Sequence, residues 1–141
     1  MEKVIYSQLD KPDQELLDKA EQAAEHGYNK ESTIQVGAAI RSKKDNIYIG
    51  ACVGRSRTSK QSRCGEEMAL DQAVFNNDLD LESIAVMGKN HQEGMDKVIS
   101  PCGSCRQLLF EVNPELRVIL TDGKKEQVIV VTVKELLPLA Y

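Results

Sequence analysis

Three of the four cysteines stand in two short clusters, Cys64-Gly65-Glu66 and Pro101-Cys102-Gly103-Ser104-Cys105, and this pairing constrains the fold more than any other feature of the chain. Both clusters sit where a helix is expected to begin. Met68, Ala69, Ala73 and Val74 recur at helical spacing after Cys64, until Asn76-Asn77-Asp78. Cys102–Val112 reads as a further helix, with Pro101 just before it and Pro114 just past its end. A fold that uses the three thiols together has to join two helix starts. There the free N–H groups and the helix dipole favour negative sulfur.

The remaining elements follow from periodicity and turn residues. Asp10 and Pro12 open an amphipathic helix over 12–26, with Leu16, Leu17, Ala20, Ala23 and Ala24 on one face and Gly27 where a C-cap belongs. Ile34–Ile40 and Ile47–Val53 are apolar runs separated by polar residues, the pattern of a hairpin, and 54–63 reads as a loop. Ile84–Met87 reads as a buried strand and 88–97 as a surface loop. Leu116–Thr121 and Gln127–Val131 flank Asp122-Gly123, a hairpin turn pair. Thr132-Val-Lys-Glu135 has capping-box spacing for a short last helix before Pro138. The order α-β-β-α-β-α-β-β-α predicts an α/β layered fold, a five-stranded mixed sheet with helices on both faces. No repeat, linker or low-complexity tract divides the chain, so residues 1–141 are expected to form one domain.

Charge narrows the clients. Lys+Arg 18 against Asp+Glu 22 leaves a net −4, and Phe 2, Tyr 4 and Trp 0 supply few stacking platforms, so nucleic acid is not the expected partner. A small molecule is. No apolar run approaches the ~20 residues that span a bilayer, and Met1–Asp10 has neither the basic nor the apolar segment of a leader. A cytoplasmic location with no membrane partner is the expectation. In that reducing compartment a C-x-x-C favours metal or redox chemistry over a structural disulfide.

Cys64, Cys102 and Cys105 supply three ligands and leave one position for water, the arrangement of a catalytic zinc rather than a closed structural one. Glu66 lies two residues from Cys64, placed to face the metal without ligating it. There a carboxylate takes a proton from water and returns it to a leaving amine. Neither His26 nor His91 has neighbours that would make it a ligand, and both are read as surface residues.

This combination is the zinc-deaminase signature in its three-cysteine form. With Val36-Gly-Ala-Ala-Ile40, Ser100–Leu108 and Glu135–Tyr141 in the same order, the chain resembles the cytidine deaminase family over roughly residues 16–141. The resemblance implies hydrolytic deamination of a cytosine-like aminopyrimidine nucleoside or analogue, with Zn²⁺ as cofactor and Glu66 as the proton carrier. It also implies a homo-oligomer, a tetramer with sites built from several chains. The substrate side is carried over position by position: Ile34 stands where the family has a ring-packing Phe. Cys52 and Gly54 stand where it has the Asn and Glu that grip the ribose. Gly65 lies beside the reacting ring, Arg55 replaces a substrate-contacting position, and Tyr141 resembles an aromatic that closes a neighbour's pocket. The sugar clamp is thus missing, which keeps a blasticidin-S-type antibiotic deaminase open as the alternative. Where relatives often carry Arg after the catalytic Glu, this chain has Glu67, so Arg63 or Arg106 is left to offset the negative thiolate site.

Three other readings stay beside this one. A deaminase-like fold without turnover would bind a nucleoside-like ligand; intact Glu66 argues against it. Thiol–disulfide exchange through Cys102 and Cys105 needs an accessible dithiol. Editing of a nucleic acid meets the acidic charge balance. The run Arg55–Arg63 holds four positive charges and no acid, and reads either as a contact for an anionic substituent or as a solvated loop. Cys52 has the bland reading of strand packing.

Overall fold

Alternation of apolar residues along adjacent strands creates the two faces on which everything else is built. In a computed structural model of the chain, residues 1–29, 34–54, 61–90 and 97–140 are described. The strands are β1 (Glu2–Val4), β2 (Tyr28–Asn29), β3 (Ile34–Ser42), β4 (Ile47–Ala51), β5 (Val53–Gly54), β6 (Leu81–Asn90), β7 (Arg117–Thr121) and β8 (Val128–Thr132). The helices are α1 (Lys11–Ala24), α2 (Gly65–Phe75), α3 (Gly103–Val112) and α4 (Val133–Leu136). Ala38, Ile40, Ile84, Val86, Val118 and Leu120 point to one face and pack with Ala69, Leu70 and Ala73 of α2 and Leu109 of α3. Their sequence neighbours Ala39, Ala85, Met87 and Ile119 point to the other and meet Leu16, Leu17 and Ala20 of α1.

The expected layered sheet with helices on both faces is therefore present, with one strand more. Its order is β1-β8-β7-β6-β3-β4, six strands rather than five. Only β6 and β7 run parallel; the other neighbours are antiparallel. The extra strand is β1, which pairs Glu2 with Val130 and Val4 with Val128. Three largely exposed residues at an edge carry no alternation long enough to read.

Two other expectations change. The strand begun at Ile84–Met87 continues to Asn90, because Gly88, Lys89 and Asn90 are laddered to Val36, Gln35 and Ile34, so residues 88–90 are not loop. In the last hairpin the connection spans Asp122 to Gln127. Asp122 Oδ1 accepts the N–H groups of Glu126 and Gln127 at 2.8 and 3.2 Å, and the left-handed non-glycine residue is Lys125, φ 60°. Asp122-Gly123 begins that turn without forming a two-residue one. The polar stretch after β4 also holds structure at its start, since β5 pairs in parallel with β2.

Helix starts obey their caps. Asp10 accepts the Asp13 N–H at the head of α1, and Thr132 donates its N–H to Glu135 Oε2 at 2.8 Å in the capping box of α4. Both α1 and α2 lie nearly on the sheet backbone. A Cβ on Gly37 would overlap the Ala20 carbonyl and the Ala24 amide of α1, and one on Gly50 would overlap the Gly65 carbonyl and the Ala69 amide of α2. At the sheet edge, Gln72 of α2 donates its side-chain amide to the Ile49 carbonyl of β4.

These contacts place the C-terminal end of β6, the start of β3 and the end of β4 side by side. The segments leading into α2 and α3 meet over that end of the sheet.

Candidate active site

The residue ahead of the first thiol is pinned to the sheet. Arg63 and Val53 exchange backbone hydrogen bonds at 2.8 and 2.9 Å. Cys64 then adopts extended backbone, φ −79° and ψ 152°, as the N-cap of α2. Its N–H is accepted by Glu67 Oε1 at 3.1 Å, the reciprocal arm of a capping box. Glu67 thus has a structural use, and Arg63 pairs with it at 3.5 Å and with Asp71.

Cys102 is the N-cap of α3 and is exposed, whereas Cys105, one turn on, is buried. The three sulfurs, half-buried Cys64 included, lie within 4.8 Å of one another. A tetrahedral zinc with bonds of about 2.3 Å sets its thiolates about 3.8 Å apart, so a small closure brings all three onto one ion. Among the described residues no fourth Cys, His, Asp or Glu joins the group, which leaves a coordination position for a non-protein ligand. This donor set fits zinc.

The thiols also interact electrostatically. Hydrogen bonding from Cys105 holds the Cys64 thiol below its ordinary range, and the same contact together with burial pushes Cys105 above it. Glu66, only 4% exposed, has its carboxyl raised chiefly by burial. Its Oε1 is buried with no hydrogen-bond partner. Leaving such an acceptor unpaired costs about 1–3 kcal/mol, so the position calls for a donor that arrives with the ligand.

A cavity of about 490 Å³ opens over these groups. Glu66, Cys64, Gly65 and Cys102 line it, as do Cys52 and Gly54, and its remaining wall is Val36, Val53, Ser62, Arg63, Ile99 and Ser100. Glu66, Cys64, Gly65, Cys102, Cys52 and Gly54 are thus gathered at one cavity, with Cys105 in the thiol cluster behind it. Ile34 opens β3 opposite Asn90 and is not among the lining residues. Arg55 and Tyr141 lie outside the described residues, as does His91. The Cys52 sulfur accepts the Val36 N–H at 3.3 Å, so this thiol is held by the strand beside it.

Sequence reasoning did not single out Val36, Ile99 and Ser100 as wall residues. Val36 was legible as the face-mate of Ala38 and Ile40. Ile99 was not, because its seat depends on a distant glycine: a Cβ on Gly88 would overlap the Ile99 side chain.

The cytidine and deoxycytidylate deaminase zinc-binding region matches residues 10–121 of this chain. Blasticidin-S deaminase of Bacillus cereus is 34% identical over 113 residues, 75% of this chain and 76% of that protein. Cytidine deaminase of Halalkalibacterium halodurans is 31% identical over 128 residues, 91% of this chain and 92% of that protein. The crystal structure of cytidine deaminase from Burkholderia pseudomallei superposes with a TM-score of 0.80 at 32% identity, covering 90% of this chain and 97% of the other.

Proposed function

Because this chain belongs to the cytidine and deoxycytidylate deaminase family, we propose that it hydrolyses the exocyclic amine of a cytosine-like nucleoside or nucleoside analogue, releasing ammonia and the uracil-type product. The observation that carries this reading is the buried, unpartnered Oε1 of Glu66 on the wall of a cavity it shares with the thiol cluster.

In this reading Cys64, Cys102 and Cys105 hold one zinc, which when bound supplies Lewis acidity and a water nucleophile usable at neutral pH. Glu66 moves the protons. Its carboxylate takes one from the attacking water and passes it to ring N3, then takes the second from the new C4 hydroxyl and delivers it to the departing amine as the C4–N bond breaks and the C4 carbonyl forms. Burial raises its carboxyl, which makes the carboxylate a stronger base toward water than an exposed one, while the protonated form remains acidic enough to pass the proton on. Val36 and Ile99 offer apolar surface to a ring, and Ser62 and Ser100 make part of the same wall polar.

A blasticidin-S-type substrate is the second reading. Cys52 and Gly54 present no side-chain amide or carboxylate to sugar hydroxyls, and the Bacillus cereus relative is a blasticidin-S deaminase by name. The wider reading includes ring packing at Ile34, a substrate contact at Arg55 and a pocket-closing Tyr141 in a cytoplasmic homotetramer, with light scattering as the check on assembly. No described helix is long and apolar enough to cross a membrane.

The deciding experiment measures ammonia release by zinc-loaded protein from cytidine, deoxycytidine, cytosine and blasticidin S. Turnover of at least one is expected, with Glu66→Gln lowering it by roughly 10²–10⁴-fold while zinc and fold persist. Ammonia from none of them, or a Glu66→Gln rate within a fewfold of the parent, sinks the reading. Efficient plain-cytidine deamination, at about 10⁵ M⁻¹s⁻¹ or above, would remove the argument from the missing clamp.

A further inference from the structure

We infer that Arg106 is a positioning residue that locks the Ser100–Cys102 wall of the cavity to α4, so that metal retention and substrate affinity depend on a helix outside the cavity. This rests on the deaminase reading for what the wall contacts, but the clamp itself stands on geometry.

The guanidinium reaches three oxygen acceptors on two segments. Its Nε donates to the Pro101 carbonyl at 2.8 Å and one terminal nitrogen donates to Ser100 Oγ at 2.5 Å. The other terminal nitrogen donates to the Leu136 carbonyl at 2.9 Å, at the end of α4. Ser100 lines the cavity, Pro101 precedes one expected ligand, and Arg106 itself follows another.

Beyond the buried Pro101, the start of α3 has few other restraints. Cys102 is exposed, no side chain caps α3, and a Cβ on Gly103 would meet nothing within 4 Å. Helix α4 lies along α3 like a splint. Its first amides, Val133 and Lys134, donate to the Leu116 and Pro114 carbonyls beyond the end of α3, each at 3.0 Å. Its last turn is gripped by Arg106 near the start of α3. Force applied to α4 is thereby delivered to the cavity wall.

The two cations flanking the thiols are used differently. Arg63 is paired with Glu67 and Asp71, whereas no carboxylate pairs with Arg106 among the described residues. Its function is the planar fork, whose fixed N–H directions serve several acceptors at once. Lysine keeps the charge and loses the fork.

The test uses zinc-loaded parent, Arg106→Lys, Glu135→Ala, which uncaps α4, and the double variant. Circular dichroism establishes that each is folded. Zinc transfer to a chromogenic chelator and the kcat–KM split on a turned-over nucleoside are then measured. Arg106→Lys is expected to weaken zinc retention on the order of 10–100-fold, as loss of outer-shell support does, and to raise KM more than it lowers kcat. Glu135→Ala is expected to weaken zinc retention in the parent and to add nothing in the Arg106→Lys background. Zinc retention and KM of Arg106→Lys within about twofold of the parent, well short of an outer-shell loss, would overturn the proposal; so would equal effects of Glu135→Ala in both backgrounds. If Arg106→Lys does not fold, Ser100→Ala removes a single acceptor. It must then shift zinc retention the same way, and unchanged retention counts against the clamp. Failure of the parent to release ammonia refutes the deaminase reading, while zinc transfer still decides the role of Arg106.

Discussion

The two helix starts that carry the thiols are built on opposite plans. At α2 the chain is gripped from all sides: Arg63 is laddered to Val53, Glu67 closes the cap on Cys64, and the helix rests on the backbone of Gly50. At α3 the capping thiol is exposed, nothing crowds Gly103, and the restraint comes from Arg106. One start is a fixed jaw and the other a jaw that a metal has to hold. In the proposed reading, such a site keeps Glu66 rigid, since it belongs to the fixed jaw, and leaves the exposed Cys102 to adjust to the ion.

The harshest way to break this contrast is to disturb the fixed jaw. Gly50→Ala forces a methyl into the Gly65 carbonyl and the Ala69 amide, and α2 has to move. Overpacking against backbone should cost about 3 kcal/mol in denaturant unfolding. A cost below about 1 kcal/mol would mean that α2 does not sit as tightly as described.

Removing the metal should act mainly on the other jaw. After chelation, amide exchange is expected to quicken by about tenfold or more at residues 102–106, and much less at 64–70, because binding energy at a metal site is also folding energy for the less restrained partner. Equal quickening at both starts would erase the distinction.

Glu67 gives a finer test. Glu67→Ala loses the arm of the cap and a part-exposed ion pair with Arg63, about 1 kcal/mol together. Glu67→Gln retains the amide acceptor for the Cys64 N–H and should cost less than half as much, with turnover near the parent's in both. A large turnover loss in Glu67→Gln would assign this side chain a chemical role.

The smallest effect is expected at the open jaw. Gly103→Ala finds free space within the first turn of α3 and should stabilise by about 0.5 kcal/mol by restricting the unfolded chain. Destabilisation there would mean that Gly103 has a neighbour that a single chain does not supply.

How much of this could be read beforehand follows from whether a signal is local. Cys64, Glu66, Cys102 and Cys105 announced themselves because their chemistry depends on spacing along the chain, and the helices that present them are marked by local signals, the periodicity after Cys64 as well as Pro101 and Pro114 around α3. The layered sheet was legible from apolar runs such as Ile34–Ile40 and Leu116–Thr121 and from the order of helices and strands. What stayed hidden depends on partners remote in sequence. Strand β1 exists only by pairing with β8, and Gly88–Asn90 looks like loop until laddered to Ile34–Val36. Ile99 enters the cavity wall because Gly88 makes room. Of the basic run before Cys64, Arg63 is drawn toward Glu67 and Asp71 of α2.

Finally, the amide of Gln72 on the Ile49 carbonyl bears on solubility. β4 is an end strand of the sheet, and Ile49 is 38% exposed, so this edge resembles a template for cross-β growth. With one of its carbonyls occupied from α2, an incoming strand has to evict Gln72 before it can zip on. Edge-to-edge aggregation is thereby impeded without a charge or a proline in the strand itself.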